Sequence, residues 1–565
     1  MEEEAAVARL GCDQVLSILH LLPAESVLSF AAACRAFHAW ASSDALWEAL
    51  CRRDWGARAA AALAERRRRG GGGGVPWRRI YAEVALLGAL SARRVPVKGA
   101  SPRPRASHSL NLVAGWLVLF GGGCEGGRHL DDTWVAYVGN GAGNRSSAVF
   151  SWQQLDSGTP SGRFGHSCSI VGDALVLFGG INDQGQRLND TWIGQIICEE
   201  SRRMKISWRL LEVGPHAPYP RGAHAACCVD NKFIVIHGGI GQSGSRLGDT
   251  WLLDLSNGLR SGIWHQIEDT EPLPLSRSGH TLTWIGGSRM VLFGGRGSEF
   301  DVLNDVWLLD INERYPKWKE LKYDLSSVLG EMPFPRVGHS ATLVLGGKIL
   351  VYGGEDSQRR RKDDFWTLDL PALLQFESGS KKMTKRMWKK LRIDGQCPNY
   401  RSFHGACVDT SGCHVYIFGG MVDGLVHPAE ASVFTSNCLI IDLKISLKIF
   451  RQTFTMLTFH LADIGHYNDG PNWCSSANCG GMHTCLPLRM SLSAYGFKLA
   501  FLCQRDIVAI DDKTETTWLR IARDHLELFL ILAPRSQVGS AQVHAHMHRL
   551  NCCHMQKTCH VELSS

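Results

Sequence analysis

Six arginines each stand three residues before a histidine: Arg105/His108, Arg163/His166, Arg221/His224, Arg277/His280, Arg336/His339 and Arg401/His404. Guanidinium presents a planar pair of donors to a carboxylate or phosphate, and one imidazole per copy is raw material for a metal or proton site. Two roles are open to the arginines. They can surround an opening and receive an acidic or phosphorylated peptide. Alternatively they can pair with the aspartates that stand two before a tryptophan, namely Asp132/Trp134, Asp190/Trp192, Asp249/Trp251, Asp305/Trp307 and Asp364/Trp366, and hold the fold together. The histidines fit a column satisfied by backbone groups near the centre of the same fold. Further arginines, Arg128, Arg187, Arg246, Arg296 and Arg359 to Arg361, lie in loops that differ from copy to copy and so suit the choice of a partner.

The elements that carry these residues repeat. An apolar run ending in Gly-Gly follows each Arg-x-x-His, at Gly121-Gly122, Gly179-Gly180, Gly238-Gly239, Gly294-Gly295, Gly353-Gly354 and Gly419-Gly420, and a second tryptophan closes the first five copies at Trp152, Trp208, Trp264, Trp318 and Trp388. None of the Gly pairs has the spacing or the strand-to-helix setting of a phosphate-binding loop. Each is expected to end a strand where a positive φ is needed. Four short apolar runs per copy, parted by glycine-rich or polar turns, predict four antiparallel strands. A sheet of that size cannot bury both faces alone, so the copies must stack radially as a β-propeller. The landmarks resemble the kelch repeat over residues 92 to 445, and the expected fold is mainly β, a six-bladed kelch-type propeller spanning 91–445. The sixth copy loses its Asp-x-Trp; "LIIDL" at 439 to 443 is its candidate third strand, and "SARRVPVKG" (91 to 99) is expected to supply its outer strand and tie the ends together.

Upstream, residues 10–60 have helical spacing, with Leu16, Leu19 and Leu22, then Val27, Phe30, Ala31, Cys34 and Phe37 after Pro23, and a third helix after Ser43-Asp44. Three helices in so short a stretch make a small core, which leaves apolar surface for a partner. This stretch resembles the F-box in Val15, Ile18, Leu19, Leu22, Pro23, Val27, Cys34, Phe37, Trp40, Leu46 and Trp47. The resemblance implies that Val15, Ile18, Leu19, Leu22, Pro23, Val27, Phe37, Trp40, Leu46 and Trp47 bind the adaptor subunit of a cullin-based SCF ubiquitin ligase. Residues 61–90 read as a glycine-rich linker, "AERRRRGGGGGVPW", followed by one more amphipathic helix.

Together the two resemblances imply a plant-type F-box/kelch substrate receptor. Its partners would be the adaptor, through it a cullin, and an unknown protein substrate, with Arg105, Arg163, Arg221, Arg277, Arg336, Arg401, Arg128, Arg187, Arg246 and Arg296 as the candidate substrate-binding residues. No enzymatic activity, cofactor or metal is expected in this chain. The alternative readings are a kelch-propeller metalloenzyme, which needs a convergent ligand set, and a scaffold without a ligase role. The bulk properties agree with a globular protein: 565 residues, 44% hydrophobic and 20% charged, with 60 glycines. A net charge of +7 gives no case for nucleic acid, and no apolar run reaches bilayer length. The acidic start does not read as a secretory leader, so the 19 cysteines point to reduced thiols in cytoplasm or nucleus. The tail, 446–565, has Cys/His-rich stretches at 474 to 485 and 544 to 560 that match no zinc spacing. It is expected to be atypical and poorly ordered.

Overall fold

The computed structural model describes residues 11–69, 75–139, 149–155, 159–199, 203–268, 271–312, 316–321, 332–377, 387–395, 399–422 and 438–444, then five strands between 489 and 564. The chain divides into two units, Met1–Gln452 and Thr453–Ser565.

The first unit opens with helices. Helix α1 (Cys12–Leu21) buries Val15 and Leu19, and α2 (Ala24–Ala33), entered through Pro23, buries Val27 and Ala31. The stripe that reads as one helix through Phe37 breaks at Cys34, whose backbone is extended and whose Sγ accepts the Phe37 N–H at 3.4 Å. Helix α3 (Arg35–Ala41) starts there, and α4 (Asp44–Trp55) turns Leu46, Trp47, Leu50 and Cys51 inward. The Trp47 indole donates to the Ala41 carbonyl at 2.7 Å, joining α3 to α4. Arg53 donates to the carbonyls of His20 and Leu22, which the end of α1 leaves without helical partners.

Helix α5 (Ala57–Arg69) runs through much of the expected linker, and α6 (Trp77–Ala85) buries Trp77, Ile80 and Val84 in the same core. That core also takes in Leu345 and Cys413 from the sheets. A Cβ on Gly346 would lie 2.3 Å from Val84 Cγ1, so the helices seat directly on the strand turns. The small helical core is thus enlarged by the propeller; residues 64–69 of the stretch read as a flexible linker belong to α5, and α6 falls where one more amphipathic helix was expected.

Strand β1 (Ala89–Arg94) leads from α6 into the repeats. The first repeat unit is β2 (Ser109–Val113), β3 (Trp116–Phe120), β4 (Thr133–Tyr137) and β5 (Trp152–Leu155). The second is β6 (Ser167–Val171), β7 (Ala174–Ile181), β8 (Arg187–Glu199) and β9 (Arg203–Leu210); the third is β10 (Ala225–Val229), β11 (Phe233–Ile240), β12 (Arg246–Asp254) and β13 (Ile263–Ile267). The fourth has β14 (Arg277–Ser278) and β15 (Thr281–Gly286) on one side of β16 (Arg289–Gly297), then β17 (Val302–Asp310) and β18 (Lys317–Glu320). The fifth is β19 (Val337–Val344), β20 (Lys348–Glu355), β21 (Phe365–Asp369) and β22 (Trp388–Gly395). In the sixth, β23 (Arg401–Ser402) and β26 (Met421–Val422) pair as a separate two-stranded sheet, and β24 (Gly405–Val408), β25 (His414–Phe418) and β27 (Cys438–Lys444) form the main ladder.

Strand β1 completes that last ladder, antiparallel to β27 from Ala89↔Lys444 to Arg94↔Leu439. Its other edge pairs in parallel with β22, from Ala89↔Arg392 to Ala92↔Gly395. The six repeat units therefore make five blades rather than the expected six: β1 welds the fifth and sixth units into one sheet of eight strands, with β23 and β26 paired apart as a two-stranded sheet. The physical reason is the borrowed strand, which comes from the N-terminal side and has a free edge on each flank to satisfy.

Six apolar clusters lie between successive units, the last holding Tyr416 and Phe418 against Leu117, Leu119 and Trp152 of the first. A cycle of backbone hydrogen bonds also closes around the centre. Ser107 N–H donates to the Phe403 carbonyl, Phe403 to Gly338, Gly338 to Gly279, Gly279 to Ala223, Ala223 to Gly165 and Gly165 to Ser107, all between 2.7 and 2.9 Å. These are the residues just before the landmark histidines, and every one has φ between 54° and 67°. In the second unit of the chain, strands β28 (Arg489–Leu492), β29 (Phe497–Cys503), β30 (Thr517–Arg523), β31 (Leu526–Leu532) and β32 (Lys557–Ser564) form one sheet in the order β28-β29-β32-β31-β30.

Candidate functional site

The landmark arginines are fully buried. Arg105, Arg163, Arg221, Arg277 and Arg336 have no exposed surface and Arg401 has 1%. In the first five units the two Nη atoms grip both oxygens of the Asp of the same unit, as in Arg221 to Asp249 at 2.7 and 2.8 Å, while Nη1 also donates to the first glycine of the Gly pair and Nε to the carbonyl two residues upstream. The Asp oxygen that takes Nη2 also accepts the indole N–H two residues on, at 2.6 to 2.7 Å. Burial alone would raise the Asp132, Asp249 and Asp364 carboxyls, but the guanidinium and indole outweigh it and hold them below the usual carboxylate range. Arg401, in the copy without an Asp-x-Trp, donates to the Gly419 and Asn399 carbonyls. The expectation that these six arginines face a ligand is therefore corrected: their donors are already committed inside the sheets.

The Gly pair joins one unit to the next. Both glycines have positive φ in all six copies. In β7, β11 and β16 the strand continues through the pair as a bulge instead of ending there. The second glycine donates to the Arg carbonyl of the following unit, Gly122 to Arg163 and Gly420 to Arg105 at 2.9 and 2.8 Å, and a Cβ on Gly121 would sit 2.8 Å from the Arg163 carbonyl oxygen.

The histidine column lines the same seams. Nε2 shares a hydrogen bond with a hydroxyl of the preceding unit in His166–Ser109, His224–Ser167, His339–Thr281 and His404–Ser340, at 2.8 to 3.1 Å. Side-chain hydroxyls thus take the place of the expected backbone partners. Burial first, then the neighbouring arginine, pushes His166, His224 and His339 down to about 3. These imidazoles are neutral parts of the core. Among the described residues no group of three or more His, Cys, Asp or Glu is placed to hold a metal. The Cys/His-rich stretch 474 to 485 lies outside them, as do residues 544–556 of the later one.

At one end of the ring lies the row just beyond each Gly pair. There Gly123 lies opposite His129, Ile181 opposite Arg187, Ile240 opposite Arg246, Arg296 opposite Val302 and Glu355 opposite Arg361. Arg187, Arg246, Arg296 and Arg361 are half-buried there, whereas Arg128 is exposed at its loop tip. Arg246 stacks on the Phe300 ring at 4.3 Å, and burial followed by the charge of Arg296 pulls its pKa down. Glu355, buried, lies 3.6 Å from Arg296 and 3.7 Å from Arg361 and accepts from Ser402. Of the sequence candidates, then, the structure gathers Arg187, Arg246 and Arg296 at one mouth. Arg361 joins them.

The helical face divides in the same way. Val15, Leu19, Val27, Leu46 and Trp47 are core residues, while Leu22, Phe37 and Trp40 are half-buried and Pro23 is exposed. Assigning the buried five to direct adaptor contact is corrected, because their side chains are spent on α1–α4 packing. Ile18 is exposed at 47%, and two residues that the motif match missed, Leu21 at 78% and Leu28 at 46%, are exposed beside it on α1 and α2. Their signal was present: Leu21 sits three residues after Ile18, on the face opposite Val15 and Leu19. No helix among the described residues is long and apolar enough to cross a membrane.

Comparison with known proteins follows this geometry. The family model for the KLHDC2/KLHL20/DRC7 kelch-repeats domain matches residues 82–295, 200–328 and 287–445. An F-box/kelch-repeat protein of Arabidopsis thaliana is 50% identical over 446 residues, covering 76% of this chain and 91% of that protein. Adagio-like protein 3 of Oryza sativa subsp. japonica is 31% identical over 416 residues, 72% of this chain and 60% of its own length. Adagio protein 3 of Arabidopsis thaliana is 28% identical over 416 residues, 72% of this chain and 61% of its own length.

Proposed function

The chain belongs to the F-box/kelch-repeat family, and from that premise we propose that it is the substrate-recognition subunit of an SCF, cullin-RING type ubiquitin ligase. The helical domain docks on the adaptor, and the propeller binds the protein to be ubiquitinated. The observation that carries this reading is the exposed set Ile18, Leu21 and Leu28 on helices whose opposite face is already used against their own core. A helix pair that spends one face on its own core and keeps large apolar side chains in water on the other is suited to a partner's groove. Bond making would belong to other subunits. This chain contributes proximity, holding substrate lysines at high effective concentration near the conjugating enzyme. Direct packing of α6 and the strand turns makes that distance fixed rather than averaged over a linker.

The test is capture of the purified adaptor by the full chain and by an Ile18→Asp/Leu21→Asp variant. Exposed positions tolerate the change without unfolding, so capture is expected to fall about tenfold or more while the circular dichroism melt stays in place. Undiminished capture by the variant, or no capture by the native chain, ends the reading.

A further inference from the structure

The ring of landmarks is nearly six-fold, but its mouth is not. Among the described residues of that row, guanidinium groups stand in the second to fifth units, as Arg187, Arg246, Arg296 and Arg361; the first unit contributes Ala106, Gly123 and His129, and the sixth Ser402 and Met421. Among the described residues Glu355 meets this group, shared between Arg296 and Arg361. Among the described residues neither Arg187 nor Arg246 has a carboxylate partner. The Nε atoms of Arg187, Arg246 and Arg296 are buried without a hydrogen bond, while Arg187 Nη1 donates to the Gly185 carbonyl and Arg296 reaches Glu355. Burial first, and then the like charge of Arg296, lowers the Arg246 pKa, so an anion brought to this pair would relieve both costs.

The same units carry several of the most exposed large apolar side chains of the propeller. Tyr219, Leu275 and Phe334 each stand two residues before a landmark arginine, in the third, fourth and fifth units, and are 74%, 62% and 68% exposed. The equivalent positions elsewhere are Arg103, Ser161 and Asn399. Their backbones are fixed: the Tyr219, Leu275 and Phe334 carbonyls accept Nε of Arg221, Arg277 and Arg336. Asn189 and Asn304, in the third strands of the preceding units, donate to the Pro218 and Pro333 carbonyls beside them. Phe300, 66% exposed with φ 64°, stands between rim and mouth and covers Arg246. Rigid apolar groups around a partly desolvated cationic centre form the arrangement in which anchor residues dominate binding.

We propose that the third-to-fifth-unit sector of this mouth is an acidic-segment receptor, in which Arg246 and Arg296, flanked by Arg187 and Arg361, take carboxylates or phosphates of a protein segment while Tyr219, Leu275, Phe300 and Phe334 take its flanking apolar side chains. The occupant is a protein segment rather than nucleic acid because the cations form one compact group within an apolar rim, not a stripe along which a phosphate backbone could run. The helices cover the opposite end of the ring, where the turns at Leu345 and Cys413 lie, so a segment at the mouth is not obstructed by the adaptor-side domain. This inference rests on the receptor reading for its biological meaning but not for its binding chemistry.

The test uses the full chain against immobilised dodecapeptides of constant apolar content and graded net charge, with single-stranded DNA and inorganic phosphate as competitors, and adaptor capture measured on the same preparations. Binding is expected to rise with negative charge and weaken with salt. It should fall about tenfold or more in Arg246→Glu/Arg296→Glu, and several-fold in Tyr219→Ser/Phe334→Ser. It should be unchanged in Lys232→Glu, an exposed residue at the turn on the other end of the ring. Binding that ignores peptide charge, survives the double reversal, or is absent across the whole array overturns the proposal, as does preference for DNA. Adaptor capture retained in a chain that binds no peptide sinks this inference alone; peptide binding without adaptor capture sinks the ligase reading and leaves the mouth standing.

Discussion

Arg221 and Arg246 belong to the same repeat unit, and the two residues have opposite surroundings. Arg221 has no exposed surface and four hydrogen bonds shared among Asp249, Gly238 and Tyr219, and the Trp251 indole donates to the same carboxylate. Arg246 is half-buried, faces Arg296 and an aromatic ring, and leaves Nε unpaired. A position that must serve every copy is consumed by the fold, because each unit needs its strands locked to its own Gly pair. Positions free to differ between copies are where selectivity can reside.

The contrast between a neutral, paired interior and a charged mouth breaks first under acid. His166, His224, His237 and His339 are held near 3 by burial against an ordinary value of 6.5, and His108, His280 and His404 lie well below it. A histidine depressed in the folded state binds its proton first in the unfolded chain. Stability therefore falls as pH drops below about 6.5 and goes on falling toward the folded value, by about 1.4 kcal/mol per pH unit for each histidine fully engaged. With several acting together this is the largest effect expected. The melting temperature of the intact chain should drop steeply between pH 6.5 and pH 5, before the paired aspartates titrate. A flat profile over that range would mean that the column is solvated and the interior not as described.

A pair of single substitutions sharpens the comparison. Asp249→Ala leaves the Arg221 charge buried without its carboxylate and should cost about 3–5 kcal/mol, seen as a lowered urea midpoint. Arg246→Ala removes one ring contact and relieves repulsion from Arg296, so its change should stay within about 1 kcal/mol. Equal losses at the two sites would erase the distinction between lock and receptor.

Much of this architecture could be read from spacing. The Arg, Gly-Gly, Asp-x-Trp and Trp landmarks mark strands and their order, since each is required by a local geometry repeated in every unit. The borrowed strand could also be read, because the sixth copy lacks an outer strand and residues 91 to 99 stand at the matching distance. The welding of two units through β1 could not, since parallel pairing with β22 depends on where α6 delivers the chain. The mouth was only half legible. Arg187, Arg246 and Arg296 stood out as loop cations that differ from copy to copy, but the spacing left two roles open for Arg105 or Arg221, whose burial follows from a carboxylate 27 or 28 residues away. On the helices the motif picked core and surface residues alike, because an F-box match scores spacing and not which face the tertiary core takes.

The seam between the third and fourth units departs from the others in two places at once. Ala225 stands where Ser109, Ser167, Thr281 and Ser340 supply a hydroxyl, and His237 stands where Phe120, Phe178, Phe293, Tyr352 and Phe418 supply a ring. His237 Nδ1 meets His280 Nε2 at 3.0 Å and its ring packs on Trp318 at 5.1 Å, so one imidazole does the work of both a hydroxyl and a phenyl. His237→Phe alone should leave His280 without a partner and cost about 1–3 kcal/mol. Ala225→Ser alone places a hydroxyl in competition with His237. The pair Ala225→Ser/His237→Phe rebuilds the arrangement of the neighbouring seams and should recover most of the loss, with a coupling of about 0.5–3 kcal/mol in a double-mutant cycle followed by urea unfolding. The sixth seam offers no such exchange, because a Cβ on Gly405 would meet Leu110 Cβ at 2.7 Å and His108 Nε2 at 2.8 Å. Strict additivity in the cycle would show that the two departures arose independently and that the hydroxyl is not what the histidine column needs.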